Sequence, residues 1–340
     1  MVHPARRPLV WGKIKKEKQK GRFLKAGFFV LLLIVGANLF IRGPAVLKEL
    51  NRPFDKLPDD KTRTVELDLS FRTNLLLFTY SEHWGLTDIA IASYEPDDGR
   101  FSVLLFNLEL EKNKLLRRKA QKIFREKGVG GLQRFVGSSL GVTIDRYGAF
   151  AGEDLNFTPQ QFLQIKRELE RPTVFFKIFS TKQKLNNLVK INAATTDLWK
   201  LFWKTRSAKF EENDIIFLKV TGEESLQSEE TTYQVSGLFL DRKIFDEGAA
   251  LTIRNCSGKA GAGAVLERYL TNLGATVVAV ESSEEIESRT LLVVRSSKPK
   301  VQGRLSSIIS FDKKKVKEEV FSGDMLIILG EDALGELTLP

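Results

Sequence analysis

The longest unbroken apolar run is Ala26 to Ile41, AGFFVLLLIVGANLFI, in which Asn38 is the one strongly polar residue. Its sixteen residues fall short of a full bilayer crossing, which takes about 20. Phe23 and Leu24 extend it, while Lys25 and Arg42 reach for the two headgroup layers. The pattern predicts one N-terminal membrane helix over residues 26–42. Two other readings stand beside it: a cleaved signal peptide, with the small residues Val35 and Ala37 before Asn38, and a buried core helix.

Beyond the run, Pro44, Pro53 and Pro58 among charged residues make 43–63 a stalk. From Thr64, Val65, Leu67 and Leu69 alternate with Glu66, Asp68 and Ser70, the period of a half-buried strand. Apolar runs at 74–80, 88–94 and 101–108 predict strands, the last two joined as a hairpin by EPDDG at 95–99. Leu115, Leu116, Ala120, Ile123 and Phe124 give Lys112–Lys127 one buried helical face, ended by Gly128. Leu132, Phe135, Val136 and Leu140 repeat that spacing in a second helix, closed by Gly141. A strand follows at 143–150, then a helix to about Glu170, with Thr158 as N-cap and Pro159 at its first position. The stretch 173–179 is apolar and β-prone, a helix carries Leu198, Leu201 and Phe202, and strands are expected at 214–220 and 233–240. Toward the C-terminus the pattern gives strands at 251–255, 276–280, 290–295 and 324–329, a turn at 256–261, a helix at 262–272 and a short helix around 301–308. The expected fold class is α/β: a layered middle domain over 64–241 and a small α/β sandwich over 245–335.

Charge changes the picture only after it is divided. The net charge is +10, but residues 1–25 hold nine Lys and Arg against Glu17, which leaves about +2 for the rest of the chain. The basic tail fits an orientation signal and a contact for anionic lipid, placing the N-terminus in the cytoplasm and everything from Gly43 onward outside. It argues against a nucleic-acid partner and against a cytoplasmic regulator of transcription. The single cysteine, Cys256, excludes an intrachain disulfide, and two histidines, His3 and His83, are too few for a common zinc centre. No phosphate-cradling Gly-rich loop and no nucleophile elbow is present.

The run 245–263, FDEGAALTIRNCSGKAGAG, resembles the start of the LytR C-terminal domain, in which a strand ends in Asn-Gly-Thr-Gly before a helix. LGATVVAV (273–280) and DMLIILGED (324–332) fall where that domain has its second and closing strands, with Cys256 in place of the usual Gly and Gly263 in place of an Ala. That domain commonly follows a LytR-CpsA-Psr domain, an extracytoplasmic enzyme that transfers glycopolymers from a polyprenyl-pyrophosphate carrier to the cell wall. The middle region is similar to it in outline at NLLLF (74–78), LTDIAIA (86–92), FSVLLFN (101–107), GGLQRFVGSSLGVTIDRY (130–147) and TTDLWKL (195–201).

The resemblance implies a site that is only partly kept. The family's Arg-Ser-Asp-Thr corresponds to LTDI, keeping Asp88, and its Ser-Ile-Pro-Arg-Asp corresponds to LFNLE, with Leu108 where the arginine belongs and Glu109 where the aspartate belongs. Leucine cannot clamp a phosphate as arginine does. Asp88 and Glu109 are therefore the candidate catalytic residues, and a turn or strand-start carboxylate is the preferred reading of Asp88. Asn255 and Gly258 are candidate ligand-binding residues, with turn chemistry as the alternative. Arg117, Arg118, Lys119 and Lys122 could gather phosphate or form the solvated face of their helix. The expected function is binding or scaffolding at the cell wall by a catalytically degenerate protein, and the alternative is a divergent phosphotransferase. No metal or cofactor is expected except Mg²⁺ in that alternative. The expected partners are membrane lipid and a polyprenyl-linked glycan or cell-wall polymer.

Overall fold

A computed structural model of the chain describes residues 54–60, 66–81, 85–106, 114–152, 157–171, 173, 189–218, 228–314 and 320–337. The expected membrane helix, the stretch 174–179, His83, Leu108 and Glu109 lie outside them. Among the described residues no helix is long and apolar enough to cross a membrane. Pro53–Pro340 forms one compact unit.

The first sheet begins with β1 (Thr73–Tyr80), antiparallel to β2 (Leu86–Glu95), and EPDDG turns β2 into β3 (Arg100–Phe106). Next comes α1 (Lys114–Leu140), two helical segments joined at Gly128, whose φ of 64° is a left-handed value open to glycine. A Cβ there would also strike the Asp59 carboxylate, which accepts from the Val129 amide at 2.8 Å. Then follow β4 (Arg146–Ala151), α2 (Pro159–Glu170), β5 (Val189–Ile191), α3 (Thr195–Ser207) and β6 (Ile215–Leu218). The strand order is β5-β4-β1-β2-β3-β6. Thr158 caps α2 through a reciprocal pair of bonds with Gln161, with Pro159 in the first turn.

Two expected strands take other forms. Residues 66–70 are not a strand: Asp68 accepts from the Ser70 amide at 3.0 Å and closes a turn, while the Leu67 amide turns inward to Asp197 at 3.0 Å. Tyr233–Leu240 belongs to a helix, α4 (Glu229–Phe239), because the Ser228 hydroxyl accepts from the Thr231 amide as N-cap, and Val235, Leu238 and Phe239 then fall on one buried side. Tyr233, on the other side, is 82% exposed. The charged junction after it is a short helix, α5 (Arg242–Glu247), capped by Asp241.

The second sheet is built from β7 (Ala250–Asn255), α6 (Ala262–Leu273), β8 (Thr276–Ser282), β9 (Leu291–Val294), α7 (Pro299–Leu305), β10 (Asp312–Lys314) and β11 (Met325–Leu329). Its order is β10-β9-β11-β7-β8. Each sheet has its own core. In the first, Leu76, Phe78, Ile89, Ile91 and Leu104 pack on α1 and α4, while Ala90, Val103 and Leu105 pack on Phe162 of α2 across the other face. In the second, Leu251, Ile253, Met325 and Ile327 pack on α6 and α7.

The two sheets are joined by polar contacts, several of them buried. Asn272 donates to the Leu140 carbonyl at 2.8 Å and Arg268 to that of Ser139 at 2.9 Å. The crossing is close enough that a Cβ on Gly137 would lie 2.7 Å from the Tyr269 hydroxyl. Burial pushes the Tyr269 phenol up to about 12. At the start of β1, Arg72 donates to Glu95 at 3.0 Å and to the Leu240 carbonyl at 2.8 Å, and its own amide donates to Asp241 at 2.9 Å. Arg304 reaches across from α7 to Asp145 at 2.8 Å and to the Arg72 carbonyl at 3.0 Å.

Candidate functional site

Asp88 sits near the start of β2, paired in register with Thr79, at the end of the sheet where the parallel strands β1 and β4 both have their carboxyl termini. Ligands of open α/β sheets bind outside such strand ends. Its side chain leaves the sheet on the α2 side and is buried. Oδ1 accepts from the Ile89 amide at 2.9 Å and Oδ2 from the Phe157 amide at 2.6 Å. Phe157 precedes the Thr158 cap and packs against Phe150 and Phe162. Asp88 thus pins the lead-in of α2 to the first sheet, the strand-start role open to it in the sequence.

A basic side chain does come to this end. Arg117 in the first turns of α1 donates through Nε to the Leu86 carbonyl at 3.2 Å, and Gln121 donates to the same oxygen at 3.0 Å. The other cations of the run diverge: Lys119 lies over the Phe135 ring at 5.5 Å, and Arg118 and Lys122 are exposed. The run is thus a helix with one cation turned toward the sheet, and the contacts here do not draw it into a phosphate clamp.

Mg²⁺ takes near-octahedral oxygen coordination from carboxylates and water. Among the described residues no three His, Cys, Asp and Glu side chains gather, and both Asp88 oxygens face amide donors. Glu109, the other candidate carboxylate, lies outside the described residues.

Asn255 ends β7 of the second sheet and Gly258 follows it, whereas Asp88 belongs to the first sheet. Asn255 Oδ1 accepts from the Ser257 hydroxyl at 2.7 Å and its Nδ2 donates to the Lys259 carbonyl at 2.8 Å. Gly258, at φ 69°, carries the turn that leads into α6. These bonds are turn chemistry. The neighbouring Cys256 is buried, which raises its thiol.

The densest cluster of charge lies elsewhere. Arg72, Glu95, Asp241 and Arg304 are each at most 7% exposed, and Ser93 and Asn74 link them onward to Thr143 and Asp145. No motif announces these residues in the sequence. The one local signal is Asp241 directly before the short charged helix α5, an N-cap pattern.

No family model matches the chain, and no curated protein matches it in sequence. Among solved structures the chain is similar to B. subtilis TagT, at 12% identity and TM-score 0.31, over 55% of this chain and 99% of that one. It is also similar to B. subtilis TagV, at 12% identity and TM-score 0.33, over 45% of this chain and 85% of that one. A third likeness is to YwtF (TagT), a LytR-CPS2A-psr family protein with bound octaprenyl pyrophosphate lipid, at 13% identity and TM-score 0.32, over 54% of this chain and 98% of that one.

Proposed function

We propose that this chain is a membrane-anchored protein of the cell envelope in which a LytR-CpsA-Psr-like domain serves binding or scaffolding in cell-wall assembly rather than glycopolymer transfer, with a LytR C-terminal-like domain behind it. The observation that carries the reading is the engagement of Asp88. Both oxygens of Asp88 accept from backbone amides at 2.9 and 2.6 Å, an arrangement that gives the carboxylate an anchoring role at the start of α2. Leu108 at the position of the family's arginine, read from the sequence, points the same way. Preorganised positive charge is typically the largest catalytic contribution in transfer from a phosphate leaving group, so losing it should cost several powers of ten in rate.

Anchoring rests on Ala26–Ile41 and the basic tail before it. The ligand class is a polyprenyl-linked glycan or the wall polymer itself, taken at the Asp88 end of the first sheet. The test is to reconstitute the full chain in vesicles with a polyprenyl-pyrophosphate glycan and Mg²⁺ and to follow both retention of the glycolipid and release of the carrier. Retention without release is expected. Release that stops in Asp88→Asn, with the fold intact by circular dichroism, would replace this reading with that of a divergent transferase.

A further inference from the structure

Helix α3, TTDLWKLFWKTRS, buries Asp197 and Leu201, so its opposite side turns outward. That outward side carries Trp199 and Trp203, one turn apart, with Phe202 beside them. Trp199 and Phe202 stack edge to face at 5.8 Å between centroids, Phe202 and Trp203 at 5.7 Å. Trp203 is 53% exposed. Lys200 and Lys204 are exposed beside it. Large aromatic rings with a polar handle, bordered by lysines, are the residues that settle at the boundary between headgroups and acyl chains.

A second observation concerns where the chain arrives. The first described residues run past β5 and the first turn of α3: the Ile191 amide donates to the Asp55 carbonyl at 3.0 Å, Lys190 pairs with Asp55 at 3.0 Å, and the Leu67 amide donates to Asp197 at 3.0 Å. Glu66 pairs with Lys200 of α3 itself. The eleven residues 43–53 between the apolar stretch and this segment span at most roughly 40 Å when fully extended. On the anchored reading, contact of this face with a bilayer is therefore within the tether's length.

We propose that the Trp199, Phe202 and Trp203 face of α3 seats on the bilayer surface, its rings at the headgroup boundary and Lys200 and Lys204 against anionic lipid phosphates. The proposal rests on the anchored reading above. It adds a consequence for the binding site, because α3 packs on α2 through Lys166, which donates to the Thr205 and Arg206 carbonyls at 2.9 and 2.8 Å. Docking of α3 holds α2, and with it the Asp88 end, at the leaflet from which a polyprenyl-linked ligand would enter.

The test uses the full chain with Trp11→Phe and Trp84→Phe, which leaves Trp199 and Trp203 as the fluorophores, reconstituted in phosphatidylglycerol vesicles whose acyl chains are brominated near the headgroup. The expected result is a blue-shifted emission quenched by the brominated lipid and protected from acrylamide in the water. Lys200→Glu and Lys204→Glu should each shift the docking equilibrium by at least about fivefold toward the free helix. Emission quenched by acrylamide and untouched by bromolipid overturns the proposal. So does protection from both quenchers that grows with protein density, which would mark an interface between two copies. Alkaline extraction of the same vesicles reads the anchor separately. A chain that is released refutes the anchoring, while bromolipid quenching on added vesicles still decides the docking of α3.

Discussion

The two ends of the β1–β2 hairpin, roughly 20 Å apart by strand rise, handle charge in opposite ways. At the end with Thr79 and Asp88, the acid is matched by backbone amides and the nearby cation, Arg117, by a backbone carbonyl. At the end with Thr73 and Glu95, acids and arginines meet each other directly, Arg72 with Glu95 and Arg304 with Asp145, and three of the four are buried while Asp145 keeps a small exposed edge. Ions are buried only where they are paired and their remaining donors are bonded. The second end pairs its ions by drawing residues from both sheets, so its charge holds the two sheets together, and the buried Arg304 Nε gains no partner among the described residues. The first end keeps one acid to fix the start of a helix.

The largest effect is expected at the paired end. Burial alone disfavours the Arg304 cation, yet Asp145 outweighs it and holds the guanidinium above its ordinary range. Arg304→Ala would leave Asp145 buried without its cation, and breaking a buried pair in this way costs about 3–5 kcal/mol. The urea midpoint of the full chain in detergent should fall accordingly, with both cores melting in one transition. A loss below about 1 kcal/mol would place the network among surface ion pairs and remove the contrast between the two ends.

Tyr269 gives the same junction a pH signature. Its folded pKa of about 12 lies above the ordinary value of about 10, so between those values the unfolded chain gives up the proton and the folded chain keeps it. The contribution is therefore full below about pH 10 and lost as pH rises through the folded value. The gap between the two values corresponds to roughly 2–3 kcal/mol. Urea midpoints measured from about pH 9 to about pH 12 should fall more steeply in the natural chain than in Tyr269→Phe. Parallel curves would mean that the phenol is reached by water and that the junction is looser than its hydrogen bonds suggest.

At the Asp88 end the expected cost is smaller and depends on acceptor geometry. Asp88→Ala removes the side-chain acceptor of the Phe157 amide, and a buried unsatisfied group costs about 1–3 kcal/mol. Asp88→Asn keeps one acceptor oxygen and should recover much of that loss, as read from thermal midpoints of the two variants. Equal losses would show that the negative charge itself is needed, which would make this end more like the other.

This difference also explains how much was legible beforehand. Period and punctuation located β1, β2, β3, the Gly128 break in α1, the capped α2 and nearly all of the second sheet, because each combines an apolar stripe with a local stop or start signal. Tyr233–Leu240 misled because its apolar residues suit a strand as well as a helix at that length, and the Ser228 cap before it decides the matter. Leu67 and Leu69 alternate like a strand, but the Asp68 turn leaves them no neighbouring strand to pair with. Asp88 was visible through its resemblance, while its amide partners depend on Phe157, almost seventy positions on. Arg72, Asp145, Asp241 and Arg304 were not legible, since their partners lie up to 232 residues apart in sequence and no spacing records such pairing.

The smallest effect should come from Arg117. It and Arg304 both donate to backbone carbonyls, at opposite ends of the same hairpin, so the pair of substitutions compares burial directly. Arg117 is half-buried, and the Leu86 carbonyl keeps Gln121 at 3.0 Å when the guanidinium is removed. The Arg117 bond to that carbonyl, once lost, orphans no carboxylate, whereas loss of Arg304 strands Asp145. Arg117→Met, which retains most of the apolar stem along α1, should therefore change stability by less than about 0.5 kcal/mol. Its urea midpoint should be indistinguishable from that of the natural chain. A loss of several times that size would mean that Arg117 is held by charge at the Asp88 end. The two ends would then both be ionic, and the case for an anchoring rather than a ligand-facing Asp88 would weaken with it.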